Sequence, residues 1–222
     1  MTIRSTFTRS AALRTMLAGA LLLAGALPVL APAAAQLTPA TPATPAAASG
    51  AARPAFSGAS LYQLDTTLTD SLGQRSKLRD MAGQVMLVTM FYGDCNTACP
   101  VVIEHLKRTV AALGPQGRKL KVLMVSLDPF HDAPASLAQL AGTHHLDTSQ
   151  FKLAVASDEG QTRVLAAALN IKFRVMGSGE INHTTRIALV DAGGNVLAAS
   201  SKLDATPEPE FLKQIAAALK AG

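Results

Sequence analysis

An α/β fold with a mixed central sheet flanked by helices is the architecture this sequence predicts, and three observations predict it. From Ala59 onward, strand and helix signals alternate. The runs Val85–Phe91, Leu120–Leu127 and Leu153–Ala156 are almost continuously apolar, as strands buried on both faces are. Late in the chain, Asp191-Ala192-Gly193-Gly194-Asn195 separates two short strand-like runs, which is a hairpin signal. Crossovers through helices require parallel central strands, and the late hairpin adds antiparallel ones.

The elements follow in order. Tyr62, Leu64 and Leu68, then Leu72-Gly73-Gln74 and Leu78, predict a short N-terminal hairpin. Val85–Phe91 is the first buried strand. Val102, Ile103, Leu106, Val110 and Leu113 recur at helical spacing until Gly114-Pro115 stops them. Leu120–Leu127 is the next strand. Pro134 suits the first turn of a helix through Leu137, Leu140 and Ala141. Leu153–Ala156 is a third strand, and Ser157 or Asp158 caps an Ala/Leu-rich helix that ends near Asn170. Arg186–Val190 and Val196–Ala199 flank the hairpin turn. A last helix begins near Pro207 or Pro209 and runs through Phe211, Leu212, Ile215 and Leu219.

The chain has two cysteines, and both fall directly after the first buried strand, in Phe91-Tyr92-Gly93-Asp94-Cys95-Asn96-Thr97-Ala98-Cys99-Pro100. A strand that ends in a turn with thiols at i and i+4, followed by Pro100 and an amphipathic run, puts both sulfurs at a helix N-terminus. Free N–H groups and the positive end of the helix dipole lower a thiol pKa there, and thiolate is the form that ligates metals and attacks disulfides. In open α/β sheets the carboxyl end of a central strand is also the usual site position.

Ahead of this domain, Arg4, Arg9 and Arg14 precede an apolar stretch from Met16 to Leu30, and Ala33 and Ala35 supply small residues at the −3 and −1 positions of a cleavage site. Residues 1–35 therefore read as a signal peptide or membrane anchor. The stretch is short against the roughly 20 residues a spanning helix needs, so cleavage is the first reading and an uncleaved tether the second. Residues 36–57 are mostly Ala, Pro and Thr, a linker composition with little to bury. Residues 58–222 form the folded domain. Removing the three leader arginines from 20 basic residues leaves 17 against 15 acidic ones. With no Lys/Arg run and no aromatic platform, nucleic acid is not an expected partner.

Together these motifs resemble the Sco (SenC) family. The likeness is carried by Met90–Pro100 with its CxxxCP pattern, by Val125-Ser126-Leu127-Asp128-Pro129-Phe130-His131-Asp132 with a proline two residues later, and by Asn182-His183-Thr184 leading into a strand and Asp191-Ala192-Gly193-Gly194. It covers about residues 56–199. The resemblance implies a thioredoxin-like, copper-binding protein that helps assemble the copper centre of cytochrome c oxidase, and in some members a thiol–disulfide reductant. It implies Cys95 and Cys99 as thiolate ligands and His183 as the imidazole ligand, with a cytochrome c oxidase subunit or another periplasmic copper protein as partner. The expected location is the periplasm, free or tethered to the inner membrane.

The chemistry of these residues agrees. Two thiolates and an imidazole form a soft three-ligand set that suits Cu(I), and an added oxygen ligand lets it hold Cu(II); zinc also fits. Taking a metal–sulfur distance of about 2.3 Å, chelating sulfurs stand about 4 Å apart, whereas a disulfide needs about 2.05 Å. On an incipient helical turn, i and i+4 Cβ atoms lie about 5–6 Å apart, so CxxxC leans toward metal where CxxC leans toward exchange. Thioredoxin-like oxidoreductases resemble one another in a cis-proline loop facing the dithiol; this chain has no proline between Pro134 and Pro207, and His183 falls there instead. Two positions depart from the family pattern: Asn96 replaces a proline after the first cysteine, and Asn182 an acidic residue before the histidine.

Other residues have plainer readings. Asp128, Pro129 and Asp132 suit an Asx-stabilised helix entry as well as a loop near the site. His131, His144 and His145 read as exposed histidines in preference to an accessory copper site, His105 as solvated, Arg186 as a surface residue in preference to a thiolate partner, and Met86, Met90 and Met124 as core. Three functions use the dithiol: a copper metallochaperone, a periplasmic thiol–disulfide oxidoreductase that reduces the cysteines of a copper-receiving partner, and a structural disulfide. The last is weakest, since a bridge over so short a loop removes little unfolded-state entropy.

Overall fold

The computed structural model describes residues 55–93 and 98–222, with the backbone alone for residues 98 and 99. Nine strands and four α-helices follow one another in the described chain: β1 Thr67–Asp70, β2 Arg75–Lys77, β3 Met86–Phe91, α1 Ala98–Ala112, β4 Lys121–Ser126, α2 Pro134–Thr143, β5 Phe151–Ala156, α3 Glu159–Ala168, β6 Phe173–Val175, β7 Ile181–His183, β8 Ile187–Val190, β9 Val196–Ser200 and α4 Pro209–Ala221. Short 3₁₀ turns occupy Leu61–Gln63, Leu78–Met81 and Gly114–Lys119.

Seven strands form one sheet in the order β2-β1-β5-β4-β3-β8-β9. β3, β4 and β5 are parallel, with Met86 opposite Lys121 and Val122 opposite Phe151. β8 joins β3 antiparallel, β9 turns back on β8, and the N-terminal hairpin β1–β2 adds antiparallel to β5. All six residues of β3 are buried, as are Val122 to Ser126 of β4, which is what a central strand covered on both faces requires. The helices bury Ile103 and Leu106 from α1, Leu137 and Ala141 from α2, Leu165 and Ala166 from α3, and Phe211 and Ile215 from α4 against it. Met86, Met90 and Met124 are core, as expected.

Local chemistry sets the boundaries. Pro134 and Pro209 open α2 and α4. The Asp158 side chain caps α3, its Oδ1 accepting the Gln161 N–H at 2.8 Å. In the first hairpin, Asp70 Oδ1 accepts the Leu72 and Gln74 N–H groups while Oδ2 takes the Lys152 ammonium at 2.7 Å. Burial works to raise the Asp70 pKa, and these bonds with the Lys152 charge outweigh it and hold the carboxyl below its usual value. In the late hairpin, Asp191 Oδ1 accepts from Gly193 and Asn195 N–H.

Two expectations need correction. Leu61–Gln63, read as part of the first hairpin, is a 3₁₀ turn with Tyr62 buried, and the strand begins only at Thr67. His105, read as solvated, is 2 % exposed: it lies on the inner side of α1, with Nδ1 3.1 Å from the Asp204 carbonyl, which satisfies the buried ring. The β6–β7 hairpin had no counterpart in the sequence reading. No helix among the described residues is long and apolar enough to cross a membrane.

Candidate metal centre

β3 delivers the chain to the CxxxC motif at the carboxyl end of the sheet. Tyr92, directly after the strand, is buried, and Gly93 is half-buried. Cys95 lies outside the described residues; Cys99 is the second residue of α1, and its side chain is likewise outside them. α1 has no acidic residue in its first turn, so no carboxylate there offsets the positive end of its dipole.

His183 comes from the opposite end of the chain. It is the last residue of β7 and pairs with Phe173 of β6. The Arg163 guanidinium of α3 lies 5.0 Å from the centre of the Phe173 ring, which ties this hairpin to the body of the domain. The Thr184 N–H donates to the Lys172 carbonyl at 2.9 Å and the Lys172 N–H to Thr184 Oγ1 at 3.0 Å, closing its base. The half-buried His183 ring then meets Tyr92 edge-on, with centroids 6.0 Å apart and planes at 83°. The fold thus brings the histidine against a residue three positions ahead of Cys95.

The protonation state suits a ligand. Burial lowers the His183 pKa and outweighs the opposing hydrogen bond to the Thr184 carbonyl, so the ring is neutral at pH 7. Nδ1 lies 3.3 Å from that carbonyl oxygen, which can only accept, so Nδ1 carries the proton and Nε2 keeps its lone pair. A carbonyl on the far nitrogen is the common orienting contact of metal-ligating histidines. Asn182, where the family pattern has an acidic residue, is exposed and pairs with Arg174.

The loop after β4 combines both of its readings. Asp128 is local, its carboxylate meeting His131 Nδ1 at 2.8 Å. Asp132 reaches across to the other strand end: its Oδ2 accepts the Gly93 N–H at 2.9 Å and also the Ser126 hydroxyl. Thr89 Oγ1 donates to the Arg186 carbonyl at 2.9 Å, which holds Arg186 beside β3, and its half-buried side chain has a buried Nε without a hydrogen-bond partner among the described residues. Among the described residues no three His, Cys, Asp or Glu gather closely enough to hold a metal. Tyr92, Phe173, Ser126 and the Asp132–Gly93 contact escaped the sequence reading. Only Gly93, placed directly after an aromatic residue at a strand end, carried a signal for any of them.

Similarity to known proteins follows the same residues. The sequence profile of SCO1/SenC matches residues 56–220. The SCO1 protein homolog of Bacillus subtilis (strain 168) is 23% identical over 154 residues, 68% of this chain and 80% of the relative. The solved structure of Bradyrhizobium japonicum ScoI with copper bound superposes with a TM-score of 0.56 at 21% identity, over 70% of this chain and 96% of that one. BsSco, described as a member of the Sco family of cytochrome c oxidase assembly proteins in which a disulfide switch was identified, gives 0.61 at 19% identity, over 73% and 97%. These likenesses carry the thioredoxin-like fold. With residues 56–220 matched, well over half of its length, the chain belongs to the SCO1/SenC family.

Proposed function

We propose that this protein is a copper metallochaperone assisting assembly of the copper centre of cytochrome c oxidase, with Cys95, Cys99 and His183 holding the copper it carries. The observation that carries this reading is the Tyr92–His183 contact, because it is the link by which a neutral imidazole from the far end of the chain approaches the strand that leads into the dithiol. The donor set fits the cargo: two thiolates satisfy Cu(I) in near-linear geometry, and an imidazole nitrogen extends the site to Cu(II). Family membership and the copper bound in the Bradyrhizobium relative support it. Residues 1–35 act as signal or anchor, 36–57 as linker, and the domain works on the periplasmic side, passing copper to an oxidase subunit or another periplasmic copper protein.

Titration of the reduced domain, from about Phe56, with Cu(I) against a competing chelator tests this reading. One copper is retained per chain, and Cys95→Ser with Cys99→Ser abolishes retention; tight stoichiometric binding by that double variant refutes the assignment.

The alternative, thiol–disulfide exchange with the cysteines of a copper-receiving partner, would use the same two cysteines. The two readings separate at His183, since exchange needs only the cysteines and their electropositive helix start.

A further inference from the structure

We propose that Asp132 is a positioning residue for the dithiol: its carboxylate clamps the Gly93 amide, restrains the chain where it enters the CxxxC motif, and so biases Cys95 and Cys99 toward the open dithiol over the disulfide. The proposal rests on the dithiol reading of these two cysteines, but not on the metal.

Four observations converge on it. β3 and β4 run in parallel register to their ends, Phe91 opposite Ser126, and the last backbone rung is Leu127 N–H to the Phe91 carbonyl at 2.6 Å. One residue further, where no backbone acceptor takes over, Gly93 N–H finds Asp132 Oδ2 at 2.9 Å, so a side chain prolongs the ladder toward Cys95. The same oxygen accepts the Ser126 hydroxyl, and that fully buried hydroxyl has its lone pair engaged by the Asp128 N–H at 2.9 Å, which leaves its single proton for Asp132. Finally, the carboxylate packs so closely on the Gly93 Cα that a Cβ there would overlap Asp132 Oδ1. Glycine at 93 and aspartate at 132 therefore specify one another across the two strand ends.

The consequence is mechanical. Closing a disulfide brings the sulfurs to about 2.05 Å, about 2 Å closer than two sulfurs bound to one metal at about 2.3 Å each. A chain tied down two residues before the first cysteine resists that movement, so releasing the tie favours the disulfide.

The test is the thiol–disulfide equilibrium of the metal-free full chain in glutathione buffers. In that exchange the Cys95–Cys99 S–S bond forms, the S–S bond of glutathione disulfide breaks, two electrons pass to glutathione, and the two cysteine thiol protons end on two glutathione thiols. Gly93→Ala, which keeps every charge, shifts the equilibrium about tenfold toward the disulfide, ~30 mV for this two-electron couple. In an Asp132→Ala background the same glycine substitution shifts it less than about twofold, because the atom it strikes is gone. Asp132→Asn, whose amide oxygen accepts both bonds, stays within about threefold of the parent. An equal Gly93→Ala shift in both backgrounds, or none in either, overturns the proposal. If Gly93→Ala does not fold, Ser126→Ala takes its place in the cycle under the same criterion. Failure of the parent protein to retain copper would remove the metal site and leave this equilibrium to decide the clamp on its own.

Discussion

His183 has two properties a ligand needs, a fixed tautomer and a neutral ring, and both come from its immediate surroundings. Because burial depresses its pKa below the ordinary histidine value of 6.5, the folded ring binds fewer protons than the unfolded one as pH falls past 6.5. The metal-free protein is therefore expected to lose stability from about that pH down to the folded pKa, a loss that His183→Ala removes; chemical denaturation at stepped pH measures it. Copper follows the same sign. The His183-dependent part of Cu(II) affinity, taken as the difference between the parent and His183→Ala, holds through the ordinary histidine range and falls about tenfold per pH unit only below the depressed pKa. His183→Ala weakens Cu(II) far more than Cu(I), and Asn182→Asp strengthens Cu(II) by adding a negative charge one residue from the imidazole. Unchanged EPR spectra and affinity in His183→Ala would remove the residue from the site. The residue was singled out in the sequence through its Asn-His-Thr context and stands as a proposed ligand, but its neighbour Tyr92 was not, because an edge-on ring contact across the fold leaves no local pattern.

At the scale of elements, the late hairpin shows how a turn is locked to the rest of the domain. The Leu61 N–H donates to the Gly194 carbonyl at 2.8 Å, and Gly194 has φ +84 with Tyr62 directly against it. A Cβ there would sit 2.5 Å from Tyr62 Cδ2, a ring that cannot retreat because its hydroxyl donates to the Met81 carbonyl at 3.1 Å. Gly194→Ala thus combines an unfavourable left-handed backbone with overpacking and should cost about 2–4 kcal/mol. Gly83→Ala, at φ +87 with open space where the Cβ would go, meets only the backbone penalty and should cost about 1 kcal/mol. Urea unfolding of the two variants measures the difference, and equal costs would remove packing on Tyr62 from the account. The turn was visible in the sequence as Asp-Ala-Gly-Gly-Asn, and the long parallel strands as apolar runs. The β6–β7 hairpin was not visible: its strands are three residues each, and Phe173-Arg174-Val175 and Ile181-Asn182-His183 hold too few side chains to set a period. That short hairpin carries His183, so the element that bears the proposed imidazole ligand was the one least marked in the sequence.

For the whole molecule, the order of strands and helices sufficed to place the dithiol at the carboxyl end of a central strand, because parallel crossovers leave few topologies. Distances between far-separated residues, such as Asp132 to Gly93, are set by side-chain packing and follow from no such rule. If the N-terminal segment tethers the domain, its length sets the reach. The composition of residues 36–57 predicts an extended linker, and at about 3.1 Å per residue it spans at most roughly 70 Å. If the leader is retained, that length bounds how far from the membrane copper can be handed over; if it is cleaved, the linker has no role in reach. The apolar stretch is short and broken by Gly and Pro28, and Ala33 and Ala35 precede Gln36, so cleavage after Ala35 is the expected outcome. Intact mass and N-terminal sequencing of the protein recovered from soluble and membrane fractions decide it. A soluble chain beginning at Gln36 is expected, and removing residues 36–54 from it should then leave both copper retention and delivery unchanged. A membrane-bound chain beginning at Met1 or Thr2 would establish the tether instead, and the same deletion would then impair delivery while leaving copper retention intact, because only the distance to the recipient would have changed.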